Sequence, residues 1–227
     1  MKKVLLSIVA ICMTVLTTSA QTLVNFDSAF GVPVGNVALN EPIAKGANGV
    51  ALIGDYRSNV EEGHYAGLTY SNKVAYFNVA GKSVKTEAAV NMVKYPSGVQ
   101  KNFQILPSRM PVNRIIMVKT ETEGKLQLLY SSKKGAGRAF VGVIRNGKWE
   151  YQGEAKWEKG STAGTESNPF EPLALDYPIQ AEDVVMIFAG SPVDIAGIYY
   201  SGKLDQNFKG ADPRSFVHKK KSSKKSK

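Results

Sequence analysis

Residues 138–153 carry the strongest local turn signal in the chain, the pair Asn146-Gly147 between two runs rich in apolar residues. A two-residue type I′ turn needs positive φ at both central positions, and Asn and Gly tolerate that backbone conformation best. A loop of this length also sets the register, so we expect Ile144 to lie opposite Trp149. The stretch therefore predicts a β-hairpin and commits this part of the chain to antiparallel sheet.

The two faces of the hairpin follow from the alternation of side chains along a strand. One face carries Phe140, Ile144, Trp149 and Tyr151, and the other carries Val141, Val143, Glu150 and Gln152. The first face is the more apolar, so we expect it to pack inward against a second layer. Gly142 falls opposite Tyr151 and is expected to leave room for the tyrosine ring.

Similar short apolar segments recur along the chain at intervals of roughly ten residues, as in β-sandwiches and barrels. The candidate strands are 22–26, 50–53, 68–70, 74–79, 114–120, 125–130, 183–189 and 195–200. Residues 31–49 and 158–172 are rich in Gly, Pro or small polar residues and are expected to be loop. Prolines and a glycine divide 96–111 into loop and short extended pieces. Residues 86–93 fit either a helix or a strand. The pattern predicts an all-β fold, an antiparallel, jelly-roll-like β-sandwich, in one domain over 21–210.

Residues 1–20 read as a secretory signal peptide, with Lys2 and Lys3 before the apolar run 4–15 and small residues up to Ala20. An uncleaved anchor is the alternative, but the apolar run is short for a membrane span. We therefore expect a secreted or cell-envelope protein, with no transmembrane span after cleavage. A lipoprotein site at Cys12 is rejected, because the bulky Ile11 precedes it.

Cys12 is the only cysteine, so the mature chain is expected to have none. Neither a disulfide nor a cysteine–zinc site is then possible, and side-chain burial alone must stabilise the fold outside the cell. A secreted chain without cysteine is more typical of a bacterial envelope than of an animal secretory pathway.

Basic charge is concentrated at the end of the chain. The formal net charge is +10, and residues 219–227 hold six lysines and no acid. Without these lysines and the two in the signal peptide, residues 21–218 carry +2. We expect 211–227 to be a disordered lysine-rich tail, which either adheres to an anionic surface or only keeps the protein soluble. No aromatic residue is interleaved in it, so specific nucleic-acid binding is not expected.

Metal and nucleophile chemistry has few candidate residues. The mature chain has two histidines, His64 and His218, and no HExxH pattern, so transition-metal catalysis is disfavoured. No cofactor is expected apart from a structural calcium, which needs only oxygen ligands. Its candidate ligands are Asp55, Glu61, Glu62 and Asp194. His64 is the one plausible general base in the folded body, and no Gly-x-Ser-x-Gly motif accompanies it.

Carboxylates and aromatics offer two further site types. Glu150, Glu154 and Glu158 recur every four residues, but the hairpin places Glu150 on a strand, where solvated charges are expected. If the strand continues, the odd-numbered Trp149, Tyr151 and Trp157 share one face. Such a row can stack on the apolar faces of sugar rings, or it can fill the core. The candidate ligand-binding residues are Trp149, Tyr151, Trp157 and Tyr200.

Residues 114–200 also carry two short patterns, Gly-x-Leu-x-Leu at 124–128 and Glu182-Asp-Val before a buried strand. This succession resembles the carbohydrate-binding-like jelly-roll modules of secreted bacterial polysaccharide-degrading proteins, although Glu182 stands where those modules have glycine. The resemblance implies a carbohydrate-binding-like fold.

Three functions remain in competition. The first is a secreted, non-catalytic module that binds a polysaccharide, a cell-surface glycan or another cell-surface ligand. The second is a structural or adhesive envelope protein that binds partner proteins and is held to an anionic surface by 219–227. The third, an enzyme with carboxylates on the sandwich, requires an acidic pair converging in an open cleft.

Overall fold

The computed structural model describes residues 21–31, 37–38, 42–54, 68–106, 109–131, 137–156 and 164–217. In these ranges the chain forms two antiparallel sheets packed face to face, which confirms the predicted all-β sandwich. The signal peptide, His64, Trp157 and the lysines of 219–227 lie outside the described residues. Among the described residues, no helix is both long and apolar enough to span a membrane.

The strands, numbered in chain order, are β1 Thr22–Asn25, β2 Val37–Ala38, β3 Ile43–Ala47, β4 Val50–Ile53, β5 Leu68–Val79, β6 Lys82–Met92, β7 Ile115–Lys119, β8 Gly124–Tyr130, β9 Arg138–Arg145, β10 Lys148–Lys156, β11 Leu173–Ile179, β12 Val184–Ala189 and β13 Val193–Tyr200. The helices are α1 Phe26–Phe30, α2 Ser97–Ile105 and a 3₁₀-helix, Pro213–Phe216.

The first sheet has the strand order β11-β8-β13-β6-β5-β2, with β1 also paired to β13. The second has the order β10-β9-β12-β7-β4-β3. Apolar side chains from both sheets meet between them and form one continuous inter-sheet core, in which Phe26, Leu52, Leu128 and Ile187 are buried. Burial of this kind is the main stabilising contribution available to a chain without cross-links.

The predicted hairpin is confirmed as β9 and β10. Ile144 pairs with Trp149, and the turn residues Asn146 and Gly147 have φ of 50° and 70°, as a type I′ turn requires. A β-bulge follows between Tyr151 and Gly153 and shifts the alternation by one residue. Past the bulge, side chains at odd positions of β10 change face.

The orientation predicted for the hairpin faces is wrong, although the grouping of residues is right up to the bulge. Val141 and Val143, expected to face outward, lie in the inter-sheet core. Phe140, Ile144 and Trp149 lie on the opposite side of the second sheet, in a separate outer core. That outer core is covered by α2 and by residues 208–217, which we call the C-terminal segment. Both faces of the second sheet are therefore buried, so apolar content alone could not tell which face points inward.

Gly142 makes room for a different ring from the one predicted. A Cβ atom at this position would overlap the indole of Trp149 rather than the Tyr151 ring. The indole lies across the backbone of its diagonal neighbour on β9, where only glycine leaves space.

Several loop predictions are corrected. The proline-rich stretch 96–111 contains α2, which buries Gln100 and Phe103. Residues 31–49 contain β2 and β3. The ambiguous residues 86–93 belong mostly to β6, and the two predicted strands 68–70 and 74–79 are one strand, β5, with a bulge between Asn72 and Ala75.

The predicted tail begins too early. Residues 211–217, assigned to it, include the 3₁₀-helix, whose Pro213 is buried. Phe216 and Val217 pack on the outer core, and Phe216 meets Phe208 with a ring separation of 6.1 Å. Three apolar side chains within seven residues are enough to hold this segment on the sheet. The part of the tail prediction that concerns 218–227 lies outside the described residues.

Candidate functional site

The predicted aromatic row does not form a surface platform. Trp149 is 6% exposed and packs in the outer core, and Tyr200 is 0% exposed and packs in the inter-sheet core. The prediction that these two rings bind a ligand is therefore corrected to a packing role, the alternative left open above for Trp149. Trp157 lies outside the described residues, and the bulge after Tyr151 removes the alternation argument that placed it beside Trp149.

Tyr200 is fixed by its hydroxyl as well as by its ring. The hydroxyl donates to the carbonyl oxygen of Thr122 at 2.8 Å. Burial, together with the charges of Asp183 and Glu123, raises the pKa of this phenol well above its ordinary value. Glycines at 124 and 202 leave space for the ring. Packing and hydrogen bonding within the fold therefore account for a tyrosine at position 200, without a role in ligand binding.

Tyr151 is half-buried and offers little free surface. Its ring packs edge-on against Phe140, with centroids 6.1 Å apart. Its hydroxyl accepts a long hydrogen bond of 3.5 Å from Nε2 of Gln104 on α2. Burial raises the pKa of Tyr151 to about 12. Tyr151 therefore joins the second sheet to α2.

Of the four predicted calcium ligands, only Asp194 lies among the described residues. Asp194 accepts a hydrogen bond of 2.8 Å from Asn91 and forms an ion pair with Lys73, so its oxygens already have partners. Within the described ranges, no group of three or more His, Cys, Asp or Glu side chains is arranged to hold a metal ion. Asp55, Glu61 and Glu62 lie outside those ranges, and the calcium site stays a prediction.

The glutamates of β10 behave as surface charges. Glu150 lies on β10, which confirms its predicted placement on a strand. Its side chain is exposed, and its Oε2 atom lies 3.9 Å from Nη1 of Arg145. Glu154 lies 3.5 Å from Arg138 and 2.7 Å from Lys156. Exposed or partly exposed surface pairs of this kind contribute little to stability.

A different place, the edge of the first sheet, provides an open cleft. Leu175 of β11 pairs with Leu126 of β8, and Ile179 pairs with Gly124, so three residues of β11 lie opposite Lys125 alone. The extra length makes β11 bow away from β8. The gap is a cleft of about 640 Å³, which we call the edge cleft. Its polar and aromatic lining consists of Glu123, Lys125, Asp176, Tyr177 and Ser201.

The walls of the edge cleft are held by hydrogen bonds to neighbouring strands. Ser201 accepts from the backbone N–H of Lys125 at 2.8 Å, and its own N–H donates to the Lys125 carbonyl at 3.0 Å. The hydroxyl of Tyr177 donates to the carbonyl of Glu154 on β10 at 2.7 Å, which ties the edges of the two sheets together. Gly153, with φ of 152°, lies against that hydroxyl, where a Cβ atom would not fit.

The charges of the edge cleft are exposed. Glu123, Lys125 and Asp176 are exposed, whereas Tyr177 is half-buried with its ring against the inter-sheet core. Burial is the main cause of the raised pKa of Tyr177, and the nearby carboxylates of Glu154 and Asp176 add to it. The cleft therefore offers two carboxylates as acceptors, one ammonium group as a donor, a hydroxyl and a neutral tyrosine ring.

Sequence reasoning missed this site because it missed β11. The signal was present: Leu173, Leu175, Tyr177 and Ile179 alternate with less apolar residues. The proline at 178, which cannot donate a hydrogen bond to a neighbouring strand, hid the strand. The bow itself depends on pairing with β8, about fifty residues earlier in the chain, and no local pattern encodes it.

The similarities of this chain to known proteins are distant. No protein-family model matches the chain, and no curated protein matches it. One solved structure, from work described as "The complexity of the Ruminococcus flavefaciens cellulosome reflects an expansion in glycan recognition", aligns with 10% identity over 83% of this chain and 97% of that chain, at a TM-score of 0.37. The isomalto-dextranase of Arthrobacter globiformis T6 complexed with panose aligns with 12% identity over 81% of this chain and 32% of that chain, at a TM-score of 0.31. Similarities at these scores carry no argument about the site.

Proposed function

We propose that this protein is a secreted, non-catalytic module that binds carbohydrate in the edge cleft. One observation carries the proposal: the bow of β11 opens a cleft of about 640 Å³ that combines the ring of Tyr177 with the charged groups of Glu123, Lys125 and Asp176. The volume lies within the range of small-molecule sites, roughly 300–1,000 Å³.

The chemistry of the lining suits a polyhydroxylated ligand. Each sugar hydroxyl both donates and accepts hydrogen bonds, so it is best matched by carboxylates together with an ammonium or hydroxyl group. The apolar C–H face of a sugar ring packs on an aromatic ring. Asp176 and Lys125 provide the first set of contacts, and the half-buried Tyr177 provides the second.

The cleft is also preorganised, which favours binding. Tyr177 is fixed to β10 through Glu154, and the carbonyl of Pro178 accepts a hydrogen bond of 2.9 Å from Arg145. A wall that is already ordered loses little conformational entropy when a ligand binds. The site therefore has the rigidity that a binding module needs.

Isothermal titration of the chain without residues 1–20 tests the proposal, with soluble glucans, xylan and mannan as probes. Charge removal by Asp176→Asn is expected to weaken binding about tenfold, the loss of one hydrogen bond to a charged group. Ring removal by Tyr177→Ala is expected to weaken it at least as much. The matched controls, Glu166→Gln and Tyr76→Ala, remove an exposed carboxylate and a tyrosine outside the cleft and are expected to change affinity less than about twofold.

Two results would overturn the proposal. One is that none of these polysaccharides binds, and the other is that the cleft variants bind as well as the controls. Circular dichroism on each variant separates loss of the site from loss of the fold.

The enzyme alternative has one structural feature in its favour, because Glu123 and Asp176 line the same cleft. Hydrolysis requires one carboxyl as acid and the other as base or nucleophile. Incubation with each polysaccharide and assay of new reducing ends separates the alternatives. We expect no release; release that disappears in Glu123→Gln would make the protein a glycoside hydrolase.

The adhesive alternative depends on 219–227, which lie outside the described residues. Deletion of these residues should weaken retention on anionic surface at low salt if the alternative holds. Equal retention of the shortened and full chains would remove it.

A further inference from the structure

A second cleft lies on the far side of the second sheet, between α2 and residues 109–114. It has a volume of about 460 Å³, and we call it the arginine cleft. Its lining is mainly apolar and aromatic, with Phe103 and Met110 as examples. Arg109 and Arg114 are the two charged residues in the lining.

Arg114 is in an unusual environment. It is half-buried, and its φ of 54° lies in a region that side chains other than glycine and asparagine rarely adopt. Its backbone N–H donates to the carbonyl of Gly54 at 2.8 Å, which holds the position. Its Nε atom is buried and has no hydrogen-bond partner among the described residues. Its guanidinium lies 5.7 Å from the centre of the Tyr95 ring.

A guanidinium in this state costs free energy in the unliganded protein. Burying part of a charge without a counter-ion is costly, and a buried donor without an acceptor carries its full desolvation penalty. The cation–π contact with Tyr95 offsets only part of this. Backbone strain together with an unsatisfied buried donor is the combination expected where a protein keeps a group for a ligand.

The charges around the cleft indicate the sign of the charge that a ligand should carry. Residues 94–114 contain Lys94, Lys101, Arg109 and Arg114 and no acidic residue. No carboxylate for Arg114 therefore comes from this segment, and within the described part of the chain its side chain has no ion-pair partner. The potential at the cleft favours an anion.

Other polar groups at the cleft already form hydrogen bonds within the protein. The hydroxyl of Tyr95 donates to Asn113, and the side chain of Gln100 donates to the carbonyls of Tyr95 and Gly190. These bonds fix Tyr95 beneath Arg114 and attach α2 to the sheet. The cleft thus has a fixed apolar floor and two arginines in its lining, of which Arg114 carries the buried donor.

We propose that the arginine cleft binds a small apolar carboxylate. The carboxylate accepts hydrogen bonds from the guanidinium of Arg114, and the hydrocarbon or aromatic body lies on Phe103 and Met110. This site is separate from the edge cleft and does not depend on carbohydrate binding. The exposed Ile105 on α2 extends the apolar surface beyond the cleft.

Titration with three probes of equal chain length tests the charge requirement. Octanoate, 1-octanol and octylamine differ only in the head group. Octanoate is expected to bind about tenfold more tightly than 1-octanol, because it gains charge-assisted hydrogen bonds, and octylamine is expected to bind more weakly than either. Added salt should weaken octanoate binding. Equal binding of octanoate and 1-octanol would show an apolar cleft only and would overturn the proposal.

The variant Arg114→Asn separates binding from stability. Asparagine tolerates positive φ, so the backbone stays unstrained while the guanidinium is lost. We expect the preference for octanoate to disappear while the melting temperature is unchanged or higher. The control Lys82→Gln removes an exposed cation at the start of β6 and should keep the preference.

Two outcomes of the variant experiment contradict the proposal. Arg114→Asn could keep the parent's octanoate affinity, or Lys82→Gln could lose as much affinity as Arg114→Asn. If Arg114→Asn does not fold, the comparison of octanoate with 1-octanol on the parent protein decides. Tyr177→Ala, in the other cleft, should leave octanoate binding unchanged.

Discussion

Arg145 and Asp183 form a two-point ion pair, with Nε 2.9 Å from Oδ1 and Nη2 2.6 Å from Oδ2. The side chain of Asp183 is 1% exposed, and its Oδ2 also accepts from the backbone N–H of Gln180 at 2.8 Å. The same arginine donates to the carbonyl of Pro178. One guanidinium therefore connects the hairpin, the turn before β12 and the bowed wall of the edge cleft. The hydrogen bonds to Asp183 raise the pKa of Arg145 further, so it stays charged.

Removal of one partner of this pair should be costly. Asp183→Ala leaves Arg145 without its buried counter-ion and is expected to lower the free energy of unfolding by about 3–5 kcal/mol. Urea denaturation at neutral pH measures this. The control is Glu182→Gln, next in the chain, which breaks a 2.5 Å pair between Lys119 and a glutamate that is 75% exposed. That change should cost less than about 1 kcal/mol, and a similar loss in both variants would contradict the assignment.

The fit between Gly142 and Trp149 predicts a non-additive pair of mutations. Gly142→Ala places a Cβ atom where the indole lies, so it should destabilise the fold by about 1–3 kcal/mol through overpacking. Combined with Trp149→Phe, the same alanine should cost less, because the smaller ring leaves space. Additive effects in the double variant would show that the two positions do not compete for space. Gly98→Ala on α2, where nothing lies within 4 Å, should be neutral or stabilising.

Two tyrosines with raised pKa values, the buried Tyr70 and the half-buried Tyr151, predict alkaline instability. The hydroxyl of Tyr70 donates to the carbonyls of Phe26 and Gly31 at 2.8 and 2.5 Å, and burial raises its pKa to about 12. Tyr151 has a pKa raised to about 12 in the same way. In the unfolded chain a tyrosine ionises near pH 10, so between about pH 10 and 12 the native state binds more protons than the unfolded state.

The contribution of these two tyrosines to the free energy of unfolding is thus fully present below about pH 10. It is lost as pH rises toward 12. Urea unfolding at a series of pH values from 8 to 11 checks this, with absorbance at 295 nm reporting phenolate. Unfolding free energies that stay level above pH 10 would be incompatible with two phenols that the folded protein keeps neutral.

The C-terminal segment should contribute to the fold. Phe216 packs on the outer core beside Phe208. Phe216→Ala is expected to lower the free energy of unfolding by about 1–3 kcal/mol, since the ring is only partly buried. Lys209→Ala, an exposed position in the same segment, is the control and should change it by less than about 0.5 kcal/mol. Equal free energies of unfolding for the two variants would show that 211–217 do not stabilise the fold and would support the predicted tail boundary at 211.

The sequence predicted what local rules determine. Asn146-Gly147 has one favourable turn conformation, and that turn sets the pairing of Ile144 with Trp149. Strand spacing was enough for the fold class. The inward face of the second sheet was not predictable, because Val141 and Phe140 are both buried on opposite sides. Which side meets the other sheet depends on where α2 and the C-terminal segment lie, and that is a tertiary property.

The candidate site was less predictable than the fold. An aromatic residue on a strand fits core and surface equally well, and the sequence could not choose between them for Trp149. The edge cleft arises from unequal strand lengths between Leu175 and Ile179, opposite Lys125. Pairing between segments distant in the chain determines such a bow, so single-sequence patterns do not reveal it.

The most direct measurement of the central claim is a two-dimensional NMR titration of isotope-labelled protein with an oligosaccharide from whichever polysaccharide binds best. We predict that amide shifts will cluster at the edge cleft, at Lys125, Asp176, Tyr177 and Ser201, and will be absent in Tyr177→Ala. Shifts confined to α2 and Arg114, or no shifts with any glycan tested, would contradict the account.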